Sequence, residues 1–428
     1  MSRLLLKNTR VWDATGATPY AADVLIEHDR IRAVARSLGQ LEAPGAEVID
    51  AKGMTLMPGM VEGHAHITFI NAARSTDLGD TPPEEHTLLA ARNARLLLDH
   101  GFTSAYSAAS AKLRIDVVIR NAIEAGDLPG PRLRACGPEI TVTGGLGDER
   151  QAHQFRDSFA IVADGPTEVM KLARLCVREG VDSIKLNISG DDHTRTGSLP
   201  RTVMSDEEIR AGVTVARDFH CMVNAHCRAA ESVKRAVRGG VDVIYHCEHA
   251  DEEALDLLEA AKNRVFVGPA IGLLHAAVFD APAGTIHQDV RRGYDLGLEA
   301  ASRAYREMNK RGIRVVIGGD YGFARTPQGE NARDIEHFVN HLGYTPTEAL
   351  VCATRYGAEL MGLGDAAGQV REGFLADLLL VDGDPVTDVR VLQDRNRLVG
   401  IWKGGVAHKL DRVALDRREV RAAGGSGG

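Results

Sequence analysis

The chain has 428 residues, 44% of them hydrophobic and 26% charged, with a net charge of −8. That length exceeds one ordinary compact domain and suits a large α/β unit with a smaller companion. The negative balance, with no basic stripe, argues against a nucleic-acid partner, and no run approaches the roughly 18 apolar residues of a membrane span.

The opening Met1-Ser2-Arg3-Leu4-Leu5-Leu6-Lys7-Asn8 holds too short an apolar core for a secretory signal. Residues 4–8, 23–28 and 30–35 alternate apolar and polar positions, with turns at Ala14-Thr15-Gly16 and His28-Asp29, and predict a small antiparallel sheet. Apolar, β-branched runs follow at 55–60, 103–107, 132–136, 183–186, 222–225, 241–245, 264–267 and 315–318. Helical periodicity fills 86–100, 169–179, 205–219, 229–239, 251–262 and 293–311, with Gly101, Gly180, Gly239 and Gly312 near helix ends. Eight strands alternating with helices predict a parallel α/β arrangement, and eight is the count that closes a (β/α)8 TIM-type barrel. An open doubly wound sheet would need a Gly-rich turn that opens a helix; Gly144-Gly145-Leu146-Gly147 opens none and reads as a loop. Residues 376–382 and 398–403 alternate again, with a turn at Gly404-Gly405, so strands from both termini are expected to form one small β-sandwich domain. The expected division is 1–57 and 363–421 for that domain, 58–362 for the barrel, and 422–428 as a flexible Gly-rich linker.

In such a barrel the chemistry sits at the C-terminal ends of the strands. The first strand runs into His64-Ala65-His66, whose imidazoles share a face because strand side chains alternate. A bare pair of this kind is as readily two surface histidines. The later strand ends decide: Lys185 between Ile184 and Leu186, His226 after Val223-Asn224-Ala225, His246 after Val243-Ile244-Tyr245, and Asp320 after Gly318-Gly319. Imidazoles and a carboxylate gathered at one face are donors for zinc or a similar borderline cation.

In order and in strand position, these six residues resemble the metal-dependent amidohydrolase superfamily. The resemblance covers nearly the whole chain, including the flanking β domain and the run Gly53-Met54-Thr55-Leu56-Met57-Pro58-Gly59. It implies two divalent metals, expected to be Zn2+, bridged by a carboxylated Lys185. His64 and His66 would hold one metal and His226 and His246 the other. Asp320 would touch the first metal and accept the proton of the nucleophilic water. Such metals lower the pKa of bound water to about 7, giving metal-activated hydroxide that attacks a carbonyl beside a C–N or C–O bond. The segments 241–246, 318–323 and 329–334 further resemble the branch of Xaa-Pro dipeptidase-like and ochratoxin-hydrolysing amidohydrolases and phenylurea and molinate hydrolases. One departure is Leu146 in Thr143-Gly144-Gly145-Leu146-Gly147, where dipeptidase relatives carry a histidine; the change favours an apolar substrate.

Leu146, Arg228, His249, Tyr321 and His275 are the expected substrate contacts. Arg228 is read either as a clasp for a carboxylate or carbonyl or as a solvated helix-start arginine. His249 is read as a substrate contact or a surface residue. The long segment 269–292, with Leu273, Leu274, His275, Val278 and Phe279, is expected to cover the pocket, and His153, Phe155 and Phe159 to line the opposite wall. The six cysteines show no CxxC pair, which fits a reducing cytoplasm, and Cys227 and Cys247 are expected to pack. The reading is a cytoplasmic hydrolase of an amide, carbamate or urea bond in a small, largely apolar molecule. The alternative is a dipeptidase or N-acyl-amino-acid hydrolase. A ring deaminase is disfavoured by Lys185, and an inactive scaffold by the complete donor set. The expected partners are a small-molecule substrate and further copies of the chain in a homo-oligomer.

Overall fold

Alternation at the two ends of the chain builds one mixed sheet. In the computed structural model, which describes residues 3–191 and 201–416, the strands Arg3–Val11, Tyr20–Glu27, Arg30–Ala35, Glu47–Asp50, Thr55–Pro58, Leu378–Val381, Leu398–Lys403 and Val406–Leu410 join in this sheet. Pairing is antiparallel within the hairpins, as the alternation predicts. Arg3–Val11, however, pairs in parallel with Glu47–Asp50 and Thr55–Pro58, two strands that reach it across loops. Leu378–Val381 lies antiparallel to Thr55–Pro58, so both ends of the chain contribute to one sheet. Its buried face is a core of Leu6, Val24, Ile26, Leu56, Leu380 and Trp402. Burying such side chains is worth roughly 1.5–3 kcal/mol each and offsets the entropy of ordering the strands.

This sheet lies in a unit made of the residues up to Val61, Leu96–Ser104 and the residues from Thr345. A second unit comprises Glu62–Arg95 and Ala105–Tyr344. In it Ala160–Val162, Cys136–Thr141, Ser183–Asn187, Met222–Ala229, Val243–His249 and Phe266–Gly268 form a six-stranded sheet in that order, every neighbour parallel. Met60–Ala65, Phe102–Ser107 and Arg132–Arg134 form a separate three-stranded sheet. Near-continuous burial of strands such as Ser183–Asn187 is what a parallel sheet covered on both faces requires.

The helices follow their sequence signals closely. Pro166–Arg178 starts on proline, Asp206–Asp218 is closed by a Ser205–Glu208 capping box, and Asp251 caps Glu252–Ala260. The helix Ala230–Gly239 ends on Gly240, with φ of 92°, rather than on Gly239. Three expected strands change, the run at 132–136 being divided at Ala135 between Arg132–Arg134 and Cys136–Thr141. The run at 55–60 breaks at Gly59, where a Cβ would lie 2.1 Å from the Thr103 hydroxyl. The run at 315–318 forms only an isolated parallel bridge from Val315 to Val267. No helix among the described residues is long and apolar enough to cross a membrane. The expected linker at 422–428 lies outside the described residues.

Candidate metal centre

His64 lies in the strand Met60–Ala65 and His66 just beyond it, so strand alternation aims both rings one way. The ring centroids of His64 and His66 are 5.1 Å apart, those of His64 and His246 5.4 Å, and those of His226 and His246 4.1 Å. Lys185, inside the strand Ser183–Asn187, is 2% exposed, with its Nζ 5.0 Å from the Tyr245 ring centre. Asp320 brings its Oδ1 to 3.3 Å from His66 Nε2. All six residues line one cavity of about 480 Å³. Two of them sit on unusual backbone: His246 has φ of 76° and Asp320 φ of 62°, conformations a side chain tolerates only where surrounding contacts hold it.

The hydrogen bonds fix tautomers. His66 Nδ1 lies 3.1 Å from the Ala109 carbonyl and so carries the proton, leaving a lone pair on Nε2. His226 Nε2 lies 3.1 Å from the Gly190 carbonyl and donates there, leaving Nδ1 as an acceptor. Burial first, then neighbouring positive charge, holds His64 and His246 well below the ordinary histidine range. His226 is held down by burial as well, and His66 falls to about 3 for the same reason. Burial pushes the Asp320 carboxyl up to about 6. A lone pair on His66 Nε2 therefore faces a carboxylate oxygen, two acceptors in contact. Nδ1 of His64 and of His246 are buried without a hydrogen-bond partner among the described residues. Neutral imidazoles facing a carboxylate in one cavity are donors that could hold a metal ion, and His64, His66 and Asp320 have donor atoms within 4.8 Å of one another.

Of the expected substrate contacts, Leu146 lines the cavity and its carbonyl accepts from Asn187. Arg228 does not line it. Its side chain is completely buried, with Nε 2.9 Å from Asp191 and Nη1 2.5 Å from Glu248. That pairing compensates a buried charge, and the guanidinium expected to reach substrate is committed to the protein. Tyr321 is also turned away: its ring wedges against Gly319 and its hydroxyl against Gly272, both places where a Cβ would collide. His249 is half-exposed at the end of its strand and outside the cavity lining. The segment 269–292 opens as a short helix, Ile271–His275, and a π-helical turn, Ala276–Asp280. Of its named residues Leu273 lines the cavity, Leu274 is buried, Phe279 is exposed, and His275 packs on His337 instead. Phe159 lines the wall, whereas Phe155 and His153 are exposed.

Two groups of residues escaped the sequence reading. Glu139, buried in the strand Cys136–Thr141, lines the cavity beside Lys185 and accepts from Asn187 Nδ2 at 2.5 Å. A lone carboxylate amid apolar strand neighbours was the available signal. Glu62 is the second: it accepts from the His64 amide at 3.1 Å and from Asn331 at 2.9 Å, and burial pushes it up to about 8. Phe69 stacks on His66 with centroids 4.0 Å apart, and Phe323 and Arg201 also line the cavity.

The chain matches the amidohydrolase family over residues 55–407. It is 26% identical over 375 residues to the ochratoxinase of Aspergillus niger, covering 83% of this chain and 75% of that protein. A solved Xaa-Pro dipeptidase with methionine in its active site superposes with a TM-score of 0.83 at 26% identity, covering 95% of this chain and 100% of that one. Molinate hydrolase, at 19% identity, shares the fold with a TM-score of 0.77 over 95% of this chain and 94% of its own.

Proposed function

We propose that this chain, which belongs to the amidohydrolase family, hydrolyses the amide C–N bond of a small molecule bearing an apolar group. The observation that carries the reading is the gathering of four neutral imidazoles, Lys185 and Asp320 on one buried cavity. His64 and His66 would hold one divalent metal and His226 and His246 the other, with a carboxylated Lys185 between them and Asp320 at the first. When bound, such metals supply a Lewis acid that lowers the pKa of water and polarises a carbonyl. Zinc suits the nitrogen and oxygen donors.

The chain's own residues do the rest. Asp320 accepts a proton from the attacking water and delivers it to the nitrogen as the C–N bond breaks, so acid and amine leave with the proton count balanced. Phe69, Phe159, Leu273 and Phe323 give the substrate an apolar wall, worth about 25 cal/mol per Å² of surface removed from water. The closed (β/α)8 barrel belongs to the same reading. It is supported by the segment at 315–317, which bridges Val267 on one side and accepts the Gly63 amide at 3.0 Å on the other.

A second reading, an N-acyl amino acid as substrate, is favoured by Arg201, whose guanidinium suits one carboxylate in a cavity otherwise flanked by Glu139, Asp148 and Glu149. The same acidic flank tempers the expectation of a wholly apolar pocket. The test is kcat/KM for an N-acyl phenylalanine, an aryl amide, a phenylurea and an Xaa-Pro dipeptide on metal-replete protein. Cleavage of the first two above the dipeptide supports the reading. A higher value on the dipeptide makes the peptidase reading the leading one.

A further inference from the structure

Leu273 and His275 occupy one short helix but meet different neighbours. Leu273 faces the cavity, while His275 meets the helix Arg333–Asn340, which carries His337 and is capped at its C-terminus by His341. Residues four apart on a helix share a face, so His337 and His341 present their rings together. The ring centroids of His275 and His337 are 4.0 Å apart, and His275 Nδ1 lies 2.9 Å from His341 Nε2. One nitrogen from each of the three rings falls within 4.8 Å of the other two. His337 is 2% exposed and its Nδ1 has no hydrogen-bond partner among the described residues. An orphaned buried ring nitrogen is destabilising unless something occupies it.

We propose that His275, His337 and His341 form a further transition-metal site, for Zn2+ or a similar borderline cation, which ties the cavity-facing helix Ile271–His275 to the helix Arg333–Asn340. None of the three lines the cavity, and the proposal does not depend on the reading of the larger cluster. Burial holds His275 at about 4 and His337 at about 2 and lowers His341, so all three rings are neutral and offer a lone pair at neutral pH.

The local charges accommodate a cation. Arg333 is the positive group at the site, and Asp280 holds it through both carboxylate oxygens, at 2.6 and 3.1 Å. Arg333 Nη2 now donates to His275 Nε2 at 3.1 Å, which makes His275 Nδ1–H the donor to His341. A metal on His275 Nδ1 requires the other tautomer, with the ring proton on Nε2 and Arg333 Nη2 released from His275 to its pairing with Asp280. The Nε2–H then turns to Asp280 Oδ1, 3.8 Å away, giving the carboxylate–histidine–metal relay that orients many metal-bound imidazoles. The His275–His341 hydrogen bond is replaced by two metal bonds. Water completes four-coordination. The π-helical turn Ala276–Asp280 brings Asp280 round to this face, and such turns recur where a helix is bent to serve a site.

The full chain, equilibrated with excess Zn2+ and freed of unbound metal by gel filtration, tests this by elemental analysis of wild type, His275→Gln and His341→Gln. Wild type is expected to hold one more Zn2+ per chain than either variant. His341 is half-exposed, so its variant should fold, which circular dichroism checks. Equal zinc content in wild type and folded variants overturns the site. Anomalous diffraction at the zinc edge from Zn2+-soaked wild-type crystals decides the case independently of any variant. A peak among the three rings supports the site, and its absence where other zinc peaks are seen overturns it.

Discussion

His66 shows at the level of one side chain how the candidate centre orients an imidazole. The Ala109 carbonyl takes the Nδ1 proton, so the remaining lone pair points at Asp320 across 3.3 Å. Without a cation the two acceptors repel, which locates the electrostatic demand between them. Asp320→Asn relieves that repulsion and still offers an oxygen, but it cannot take a proton from water. It is expected to keep its metal content by elemental analysis and to lose on the order of a hundredfold or more in kcat; near-normal turnover with full metal would assign the base elsewhere. Lys185 is tested by chemistry rather than rate. Reconstitution with 13C-bicarbonate and metal should give a carbamate carbon signal by NMR in wild type and none in Lys185→Arg; a signal-free, fully metallated wild type would show that the lysine stays an amine. The six residues that line the cavity together were legible because each lies in or directly after an apolar run. Arg228 was not, because nothing in the sequence shows that Asp191 and Glu248 arrive from other elements to enclose it. Glu139 stayed hidden for the opposite reason: a strand residue facing inward looks in sequence like any other polar position in an apolar run.

At the scale of elements, strand order was readable and strand ends were not. The parallel strands Ser183–Asn187, Met222–Ala229 and Val243–His249 begin close to where apolar runs start, yet all three run through residues of the candidate centre, Lys185, His226 and His246. The segment at 315–318 was expected as a regular strand because its β-branched run is strong. Pairing accounts for its behaviour. It is gripped by Val267 on one flank and the Gly63 amide on the other, and Gly318 then passes so near His64 that a Cβ would lie 2.3 Å from the His64 Cβ and 2.6 Å from its backbone nitrogen. No side-chain rotation relieves a clash with backbone. Gly318→Ala is therefore expected to push the strand Met60–Ala65 away from this segment, misplacing His64 and His66 together. Metal content and kcat should both fall steeply, while the free energy of unfolding drops by an amount typical of overpacking, about 1–3 kcal/mol. A variant with unchanged metal content and activity would show that the strand tolerates the displacement and that His64 does not depend on this contact.

Across the whole molecule, buried titratable groups pull stability in opposite directions as pH changes. The histidines of the candidate centre bind protons less readily folded than unfolded, so their contribution improves as pH rises towards the unfolded value of about 6.5. Asp116 and Asp334 act the other way: burial pushes both carboxyls up to about 7. A raised carboxyl holds its proton more tightly in the fold, so its stabilising effect is complete below about pH 4 and is lost as pH climbs through about 7. Asp116 isolates this behaviour because it lies outside the lining of the cavity, in the helix Ile115–Ala125, where it accepts from the Cys136 amide at 3.3 Å. Asparagine in its place keeps an acceptor and mimics the protonated acid at every pH. Calorimetry of wild type and Asp116→Asn at about pH 5 and about pH 8 should show the variant gaining on wild type by about 3 kcal/mol across that interval, as the carboxylate in wild type is forced to ionise in a dry site. The sign is the decisive feature, since loss of packing or of one hydrogen bond would shift both pH values equally. A difference between the two proteins that stays constant with pH would mean that Asp116 ionises as readily folded as unfolded, and that the molecule tolerates its charge through partners other than the Cys136 amide.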